Sequence, residues 1–406
     1  MDEKELKRLL KKSGKIEIED FMLDAEELQL NNLPQAILED FRELLGNADE
    51  IEIENFELET EELNLNLITQ AISKAIRSPI VHPRVRVEKF IFTPPKEEYK
   101  LRIAEVTFGA IKKNGGTRDR ELIIGGESAM PYYFFEGEFP NKPVISHDVF
   151  DMPIHLPGTV RKFFGDKMED PAEWAKLRVK KFNANMITLH LVSTDPNTEN
   201  RGIKEAIKVV EDVLQAVKVP LIIGGSGNPE KDPELLAKAA EVCSGERCLL
   251  STVDPDMDYK TVAKAAIEHG HSVLSLVSMN PDEMRRLNKN LLKTGLKREQ
   301  IVMDLFTGGI GYGIEYSVSA MERSRWAGLK GDESLAMPIA SATSNSWSAR
   351  EAWMEREEWG PRGYRGPLWE LNTAVVALES GADLFMMLHP AAIKTLQNII
   401  DNLYGR

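Results

Sequence analysis

The polar residues best placed for chemistry end or follow eight short apolar runs in the C-terminal three quarters of the chain. They are residues 146–148, 193–195, 224–228, 251–254, 278–280, 304–309, 343–345 and His389. Most carry small hydroxyls, amides or no side chain. Such groups hydrogen-bond and allow close approach, but they are weak acids, bases and nucleophiles. The pattern predicts a cradle for a large polar ligand.

Other residue patterns that could indicate a metal site or a catalytic group have little support. The pair His269 and His271 has metal-site spacing, but it precedes an apolar run and therefore belongs at the other end of the fold. Cys243 and Cys248 fall at that same end, where we expect ordinary thiols. His190 lies inside a run, which favours a hydrogen-bonded core histidine, with a proton carrier as the alternative.

The glycine-rich stretch at residues 308–313 does not match a dinucleotide-binding loop, because Ile314 stands where the third glycine is needed. Two interpretations stay open for it. One is a loop whose backbone packs against a bulky ligand, and the other is a tight structural turn.

The apolar runs predict the strands of a parallel sheet. They are 144–150, 186–192, 220–224, 248–253, 272–277, 301–305, 336–342 and 384–388. Each is apolar on both faces and is followed by a helical stretch, as in a buried parallel sheet. Eight such units favour an α/β fold of the closed (β/α)8 TIM-barrel type, because closure leaves no unpaired edge. We expect the hairpin formed by residues 105–110 and 121–125 to close its base.

Asp170, Asp232 and Asn280 each precede a proline at the start of a helical stretch. Because these side chains accept hydrogen bonds from helix N-termini, and proline suits the first helical position, all three are predicted to be N-caps.

The N-terminal region is acidic and duplicated. Residues 1–67 hold 20 acidic and 7 basic side chains, and residues 16–31 match residues 51–66 at 11 of 16 positions with an offset of 35. Each copy predicts a strand followed by a helix, and the two copies could pair. We expect an extension over residues 1–80 and a barrel over residues 81–406. The extension is predicted to be either a solvated face or a surface for a basic partner, and not catalytic.

The overall composition excludes several classes of protein. A formal net charge of -14 disfavours nucleic-acid binding, and two cysteines are too few for a disulfide framework or a cluster. No apolar run is long enough to cross a membrane, and the N-terminus lacks the apolar core of a secretion signal. We therefore expect a cytoplasmic protein.

Aromatic residues are concentrated between the seventh and eighth runs. Four tryptophans, Trp347, Trp353, Trp359 and Trp369, lie within 23 residues. Interspersed with arginines, they favour either a protein–protein hot spot or the packing of a helix onto its neighbours.

Several long stretches resemble one known family. They are residues 116–126 (GTRDRELIIGG), 142–158 (KPVISHDVFDMPIHLPG), 303–317 (MDLFTGGIGYGIEYS) and the tryptophan-rich segment. Together they resemble the delta subunit of the archaeal acetyl-CoA decarbonylase/synthase complex, which is similar to the small subunit of the corrinoid iron-sulfur protein. The resemblance covers roughly residues 102–406.

The resemblance implies a barrel that pairs with a gamma-type corrinoid iron-sulfur subunit. That partner supplies the iron-sulfur cluster and most of the binding of the corrinoid (cobamide), and the top face of the barrel covers the cofactor. The chemistry it implies is methyl transfer between a tetrahydropterin, the corrinoid cobalt and the acetyl-CoA-forming site of another subunit. Because the cobalt performs this chemistry, we expect no catalytic residue and no metal bound by this chain itself.

Strand-end position predicts which residues lie nearest the ligand. They are Asp195, Asn228, Thr307, Gly308, Gly309 and Asn345. For each of them a helix-capping or loop-turn role is the alternative.

Two other functions stay open. In the first, Asn228 and Asp304 bind methyl-tetrahydropterin, and the chain is itself a pterin-dependent corrinoid methyltransferase. In the second, the chain is purely architectural, and its acidic repeat docks neighbouring subunits. Tetrahydropterin binding by the isolated chain separates the first from a corrinoid cover, and deletion of residues 1–80 tests the second.

Overall fold

The computed structural model describes residues 95–405 and the backbone of four short strands nearer the N-terminus. It divides the chain into two compact units, Met1–Thr93 and Pro94–Arg406. The expected boundary between residues 80 and 81 lies outside the described residues, as do the helical stretches predicted in the duplicated region.

Strands of the first unit pair with their own repeat copies. The strands are β1 (Lys15–Ile18), β2 (Met22–Asp24), β3 (Glu50–Ile53) and β4 (Glu57–Glu59). β1 pairs in parallel with β3, and β2 with β4. The register sets Ile16 opposite Ile51, and this spacing equals the offset of the duplication. Equivalent backbone positions of the two copies therefore lie side by side.

The second unit begins with an antiparallel hairpin and continues as a closed barrel of eight parallel strands. The hairpin strands are β5 (Val106–Phe108) and β6 (Leu122–Ile124). The barrel strands are β7 (Val144–Phe150), β8 (Ile187–His190), β9 (Leu221–Gly224), β10 (Leu249–Val253), β11 (Ser272–Leu276), β12 (Ile301–Asp304), β13 (Ile339–Ser341) and β14 (Leu384–Met387). They follow one another around the barrel, and β14 pairs with β7. The predicted (β/α)8 fold is confirmed.

Helices connect the barrel strands on the outside. The α-helices are α1 (Gly158–Arg161), α2 (Pro171–Phe182), α3 (Ile203–Ala216), α4 (Asp232–Val242), α5 (Tyr259–His269), α6 (Pro281–Lys293), α7 (Ile314–Leu329), α8 (Arg350–Trp353), α9 (Arg362–Glu379) and α10 (Pro390–Tyr404). Short 3-10 helices occur at Lys112–Asn114, Gly165–Glu169, Val192–Thr194, Arg298–Gln300, Thr343–Ser348 and Glu357–Trp359.

Two of the three predicted N-caps are confirmed, and one is wrong. Asp170 accepts hydrogen bonds from the first turn of α2, and Asn280 does so for α6. Asp232 is instead the first residue of α4, so its carboxylate points back along the chain. It accepts hydrogen bonds from the backbone N–H groups of Ser226 and Gly227, at 3.1 and 2.7 Å. Asp232 therefore holds the loop after β9.

The hairpin closes the base of the barrel, as predicted. Backbone hydrogen bonds join the segment between its strands to residues that immediately precede β9 and β10, from Asp119 N to Lys218 O and from Gly109 N to Arg247 O. The side chains of Val106, Phe108 and Ile124 are fully buried among the apolar residues of the lumen. Each buried side chain of this size contributes about 1.5–3 kcal/mol.

A buried charge cluster ties the base together. Arg325, on α7, donates to Asp383 Oδ2 at 2.6 Å and to Glu127 Oε2 at 3.2 Å. Asp383 Oδ2 also accepts from the backbone N–H of Ile339, at 2.8 Å. Burial raises the pKa of Glu127 to about 8, and the nearby Asp383 carboxylate adds to this shift. One arginine thus faces two carboxyl groups, and Glu127 holds a proton at neutral pH.

We expect the stability of the barrel to fall as pH rises from about 4.5 to about 8. In this window the folded chain keeps a proton on Glu127, whereas the unfolded chain, with an ordinary pKa near 4.5, has released it. The slope reaches at most about 1.4 kcal/mol per pH unit for one proton. Urea denaturation at several pH values measures it. The variant Glu127→Gln imitates the protonated carboxyl and should make this dependence less steep, although the raised pKa of Asp304 keeps part of it; an equal slope in the variant would contradict the assignment.

Candidate functional site at the barrel mouth

The lumen of the barrel changes from apolar at its base to polar at its mouth. Because side chains of a strand alternate between its two faces, Asp148 shares the lumen face with Val144, and His190 shares it with Met186. By the same alternation, Asp304 shares the lumen face of Val302. These polar residues lie at the carboxyl ends of their strands, where TIM barrels bind ligands.

Asp148 and His190 form a close pair on neighbouring strands. The register of β7 and β8 sets Asp148 opposite Thr188 and Phe150 opposite His190, two residues further along. Asp148 Oδ1 lies 3.1 Å from His190 Nε2, and His190 stacks on Phe150 with ring centroids 4.8 Å apart. The Asp148 side chain is fully buried, whereas a quarter of the His190 side chain is exposed. His190 is therefore accessible at the mouth instead of fully enclosed in the core.

Asp304 is a second buried carboxyl group at the mouth. Its Oδ1 accepts a hydrogen bond from Phe306 N at 2.8 Å, within a turn where Phe306 has a positive φ of 58°. Burial raises the pKa of Asp304 to about 7, although the hydrogen bond from Phe306 opposes the shift. This carboxyl group can therefore exchange a proton near neutral pH.

The predicted ligand residues of β8 and β9 lie in adjoining loops. Asp195 Oδ1 accepts from Asn197 N at 2.7 Å, and Asn228 Oδ1 accepts from Lys231 N at 2.9 Å. Lys231 Nζ then donates to Thr194 O at 2.8 Å, which joins the two loops. Both predicted residues therefore have the loop-turn role that was their alternative, and both remain partly exposed.

The remaining predicted residues follow β12 and β13. Thr307, Gly308 and Gly309 are buried, and Thr307 Oγ1 lies 2.7 Å from Ser341 Oγ. Gly308 N donates to Ser317 Oγ at 2.9 Å, and a Cβ at Gly308 would lie 2.7 Å from Tyr312 O. These three residues therefore form the buried side of the loop after β12. Asn345, by contrast, is exposed.

Part of the tryptophan-rich segment packs into the fold, and part of it is exposed at the surface. Trp347 is buried, and Trp369 packs against the core and donates its Nε1–H to Ile310 O at 3.1 Å. Trp353 and Trp359 are exposed by 43% and 37%. Arg365 holds this segment in place, since it donates to three backbone carbonyls, those of Glu351, Met354 and Gly360.

Exposed apolar side chains surround one side of the mouth. Seven of the twelve large exposed hydrophobic residues in the described part of the chain lie in the loops after β12 and β13 or in the first two turns of the helices that follow. We call these the apolar rim: Phe306, Tyr312, Tyr316, Trp353, Trp359, Tyr364 and Leu368. The two parts of the rim are joined by a hydrogen bond of 2.7 Å from Tyr312 to Glu351 Oε2. Such a concentration of exposed aromatic groups is typical of an interaction surface.

The base of the barrel has a structural role. His271 is buried, and its ring nitrogens lie 3.1 Å from Cys248 N and 2.9 Å from Ala240 O. Cys243 and Cys248 are buried free thiols. Within residues 95–405, no group of three or more His, Cys, Asp or Glu side chains is arranged to hold a metal ion. None of the helices in this range has the length and apolar character to span a bilayer.

Removal of the Asp232 carboxylate should destabilise the barrel by about 1–3 kcal/mol, because two backbone N–H groups lose their acceptor. The variant Asp232→Ala tests this by urea denaturation. Glu234→Ala, an exposed acidic residue in the first turn of the same helix, is the matched control. Equal stability of the two variants would show that the contacts of Asp232 contribute little.

Fold and site together define a TIM-barrel protein with a polar, hydrogen-bonded mouth beside an exposed apolar rim. A family model described as CO dehydrogenase/acetyl-CoA synthase delta subunit matches residues 105–357. The chain belongs to this family, and the resemblance stated from the sequence is confirmed.

Two curated relatives align with nearly the whole chain. The acetyl-CoA decarbonylase/synthase complex subunit delta of Methanocaldococcus jannaschii is 44% identical over 400 residues, or 98% of this chain and 92% of the relative. The subunit of the same name from Methanothermobacter thermautotrophicus is 47% identical over 399 residues, or 97% and 91%. Among solved structures, a dihydropteroate synthase of Xanthomonas albilineans matches with a TM-score of 0.46 and 14% identity, covering 74% of this chain and 97% of that one.

Proposed function

We propose that this chain is the corrinoid-protein subunit of an acetyl-CoA decarbonylase/synthase complex, and that its barrel mouth covers a corrinoid held mainly by a gamma-type partner. When bound, the corrinoid supplies the cobalt centre through which a methyl group passes between a tetrahydropterin and the acetyl-CoA-forming site. The observation that carries this proposal is the apolar rim beside a polar mouth, on a chain of this family.

The chemistry of the mouth fits a corrinoid. A corrin ring has broad apolar faces and a periphery of carboxamide side chains, so a suitable cover combines apolar area with hydrogen-bonding groups. The rim offers the first, and the partly exposed Asp195 and Asn228 with the exposed Asn345 offer the second. The partly exposed His190, beside the buried Asp148 carboxylate, adds a further hydrogen-bonding group.

In this proposal the chain positions and shields, and it contains no catalytic residue. The apolar rim packs against the partner and excludes water from the face of the ring, which strengthens every polar contact inside. Hydrogen bonds from Lys231 join the loops after β8 and β9, and Asp232 holds the second of them in place. Little conformational freedom is therefore lost when a partner covers these loops. The two buried free thiols support the cytoplasm, a reducing compartment, as its location.

The test combines the full-length chain with the corrinoid-loaded partner. We expect the two to co-purify, the visible absorbance of the corrinoid to change when the chain is added, and oxidation of the reduced cobalt by air to slow. An unrelated protein at equal concentration is the control. An unchanged spectrum and an unchanged oxidation rate would refute the proposal.

The pterin-dependent methyltransferase is the second candidate, and Asp304 is the observation in its favour. A buried carboxyl group with a pKa of about 7 suits recognition of a ring that donates hydrogen bonds. Its suggested partner Asn228 already accepts hydrogen bonds from Glu230 N and Lys231 N through its Oδ1. Equilibrium binding of a tetrahydropterin to the isolated chain decides between them: tight binding supports the methyltransferase, and none supports the corrinoid cover.

A further inference from the structure

Asp148 and His190 form a unit at the mouth whose purpose the corrinoid cover alone does not explain. We infer that they bind a neutral amide N–H donor, the primary carboxamide of a corrin side chain, with His190 as the direct acceptor. This inference rests on the proposed function, because it names the part of the corrinoid that this chain contacts.

Asp148 lies in an unusual environment. Its side chain is completely buried, and neither carboxylate oxygen accepts a hydrogen bond from any residue in the described part of the chain. A buried carboxylate without donors is costly, so a nearby polar hydrogen is strongly attracted to it. His190 Nε2 lies 3.1 Å from Asp148 Oδ1. Asp148 therefore favours the histidine tautomer that carries its proton on Nε2.

The other ring nitrogen of His190, Nδ1, is left as a hydrogen-bond acceptor. With the proton on Nε2, Nδ1 has a free lone pair and acts as an acceptor. Nε2 is buried, so the exposed quarter of the side chain lies on the rest of the ring. Nδ1 lies beside Gly224, where an added Cβ would be only 3.3 Å away. The absence of a side chain at Gly224 thus leaves room for a group that approaches Nδ1.

His190 is held rigidly. The His190 ring stacks on Phe150 with an interplanar angle of 19°, and Phe150 lies against Trp174 with centroids 5.9 Å apart. His190 is also the last residue of β8, so its backbone is fixed by the barrel. An acceptor whose ring is stacked and whose backbone is fixed loses little conformational entropy when a ligand binds.

The charged groups around Asp148 indicate the charge of the ligand. Arg178 donates through Nη2 to the backbone oxygen of Asp148 at 2.9 Å, and it is itself fully buried. Burial lowers the pKa of Arg178 to about 9, so the guanidinium remains charged at neutral pH and offsets the Asp148 carboxylate. Glu370 is a second acid near Arg178, and burial raises its pKa to about 7, which reduces its negative charge at neutral pH. Because Arg178 already supplies a cation beside Asp148, a neutral donor such as a carboxamide suits the site.

The test measures the affinity of the full-length chain for the partner loaded with either of two corrinoids. One is the natural form with side-chain amides, and the other has every side-chain amide replaced by a methyl ester, which removes the N–H donors. We expect the wild-type chain to bind the amide-loaded partner about 10-fold more tightly, the effect of one hydrogen bond. Asp148→Asn and His190→Phe should lose this contribution and show a smaller preference for the amide-loaded partner, and His269→Gln, at the base, should behave as wild type.

The comparison of the two corrinoids with the wild-type chain does not depend on the folding of any variant. If the wild-type chain does not distinguish amide from ester, or if Asp148→Asn and His190→Phe distinguish them as well as wild type does, the inference is wrong. The cobalt spectrum separates this failure from that of the proposed function. A spectrum that changes when wild-type chain is added keeps the corrinoid cover even where the amide site fails, and an unchanged spectrum removes both.

Discussion

Replacing Arg325 with methionine should destabilise the barrel by about 3–5 kcal/mol, the cost of leaving buried charges without their partner. Arg325 is almost completely buried and donates to Asp383, to Glu127 and to the backbone oxygen of Gly381. Methionine fills a similar volume but supplies no donor. The free energy of unfolding at pH 7, from urea denaturation, measures the effect.

Arg323→Met is the matched control for this prediction, because Arg323 lies on the same helix and is exposed. It should change the free energy of unfolding by less than about 0.5 kcal/mol. A loss below about 1 kcal/mol for Arg325→Met would mean that the cluster is not a principal contribution to stability.

Replacing both Trp353 and Tyr364 with serine should weaken binding of the corrinoid-loaded partner by about 100-fold, if the apolar rim is the docking surface. Truncation of one aromatic hot-spot residue typically costs 2 kcal/mol or more, and effects of neighbouring residues are not additive. Both side chains are already exposed, at 43% and 73%, so the fold of the barrel loses little. Titration calorimetry gives the affinity, and thermal unfolding verifies that the variant is folded.

The chain offers a matched pair of residues as the control. Trp326 and Tyr133 are exposed by 52% and 48% and lie outside the rim. Trp326→Ser with Tyr133→Ser therefore removes the same residue types from elsewhere on the surface. We expect it to bind the partner as tightly as the wild-type chain does. Equal affinities of the two double variants would place the docking surface away from the rim.

The barrel was predictable because its strands have a simple requirement. A strand covered on both faces is largely apolar, and all eight runs with this property became strands. The hairpin followed from the turn residues between its two strands. Only the ends of the strands shifted, by up to three residues, because a strand stops where its neighbour no longer offers a hydrogen-bond partner.

The candidate site was less predictable because it depends on register and on loop geometry. Composition identified the polar residues at the strand ends. Whether Asp148 lies close to His190 depends on how β7 and β8 align, and strand-end position alone does not give this alignment. Asp232 looked like a cap, yet the helix begins at that residue, and its carboxylate serves the preceding loop. The roles of Asp195 and Asn228 in their loops likewise depend on local turns that sequence position does not define.

The hairpin at the base determines how solvent reaches the polar end of the lumen. Val106, Phe108 and Ile124 close the far end, so water and protons can exchange with His190 and Asp304 only through the opposite opening. A partner seated over that opening would then isolate both groups from bulk solvent at once. Hydrogen–deuterium exchange around β8 and β12 would therefore report how long the assembled pair stays together.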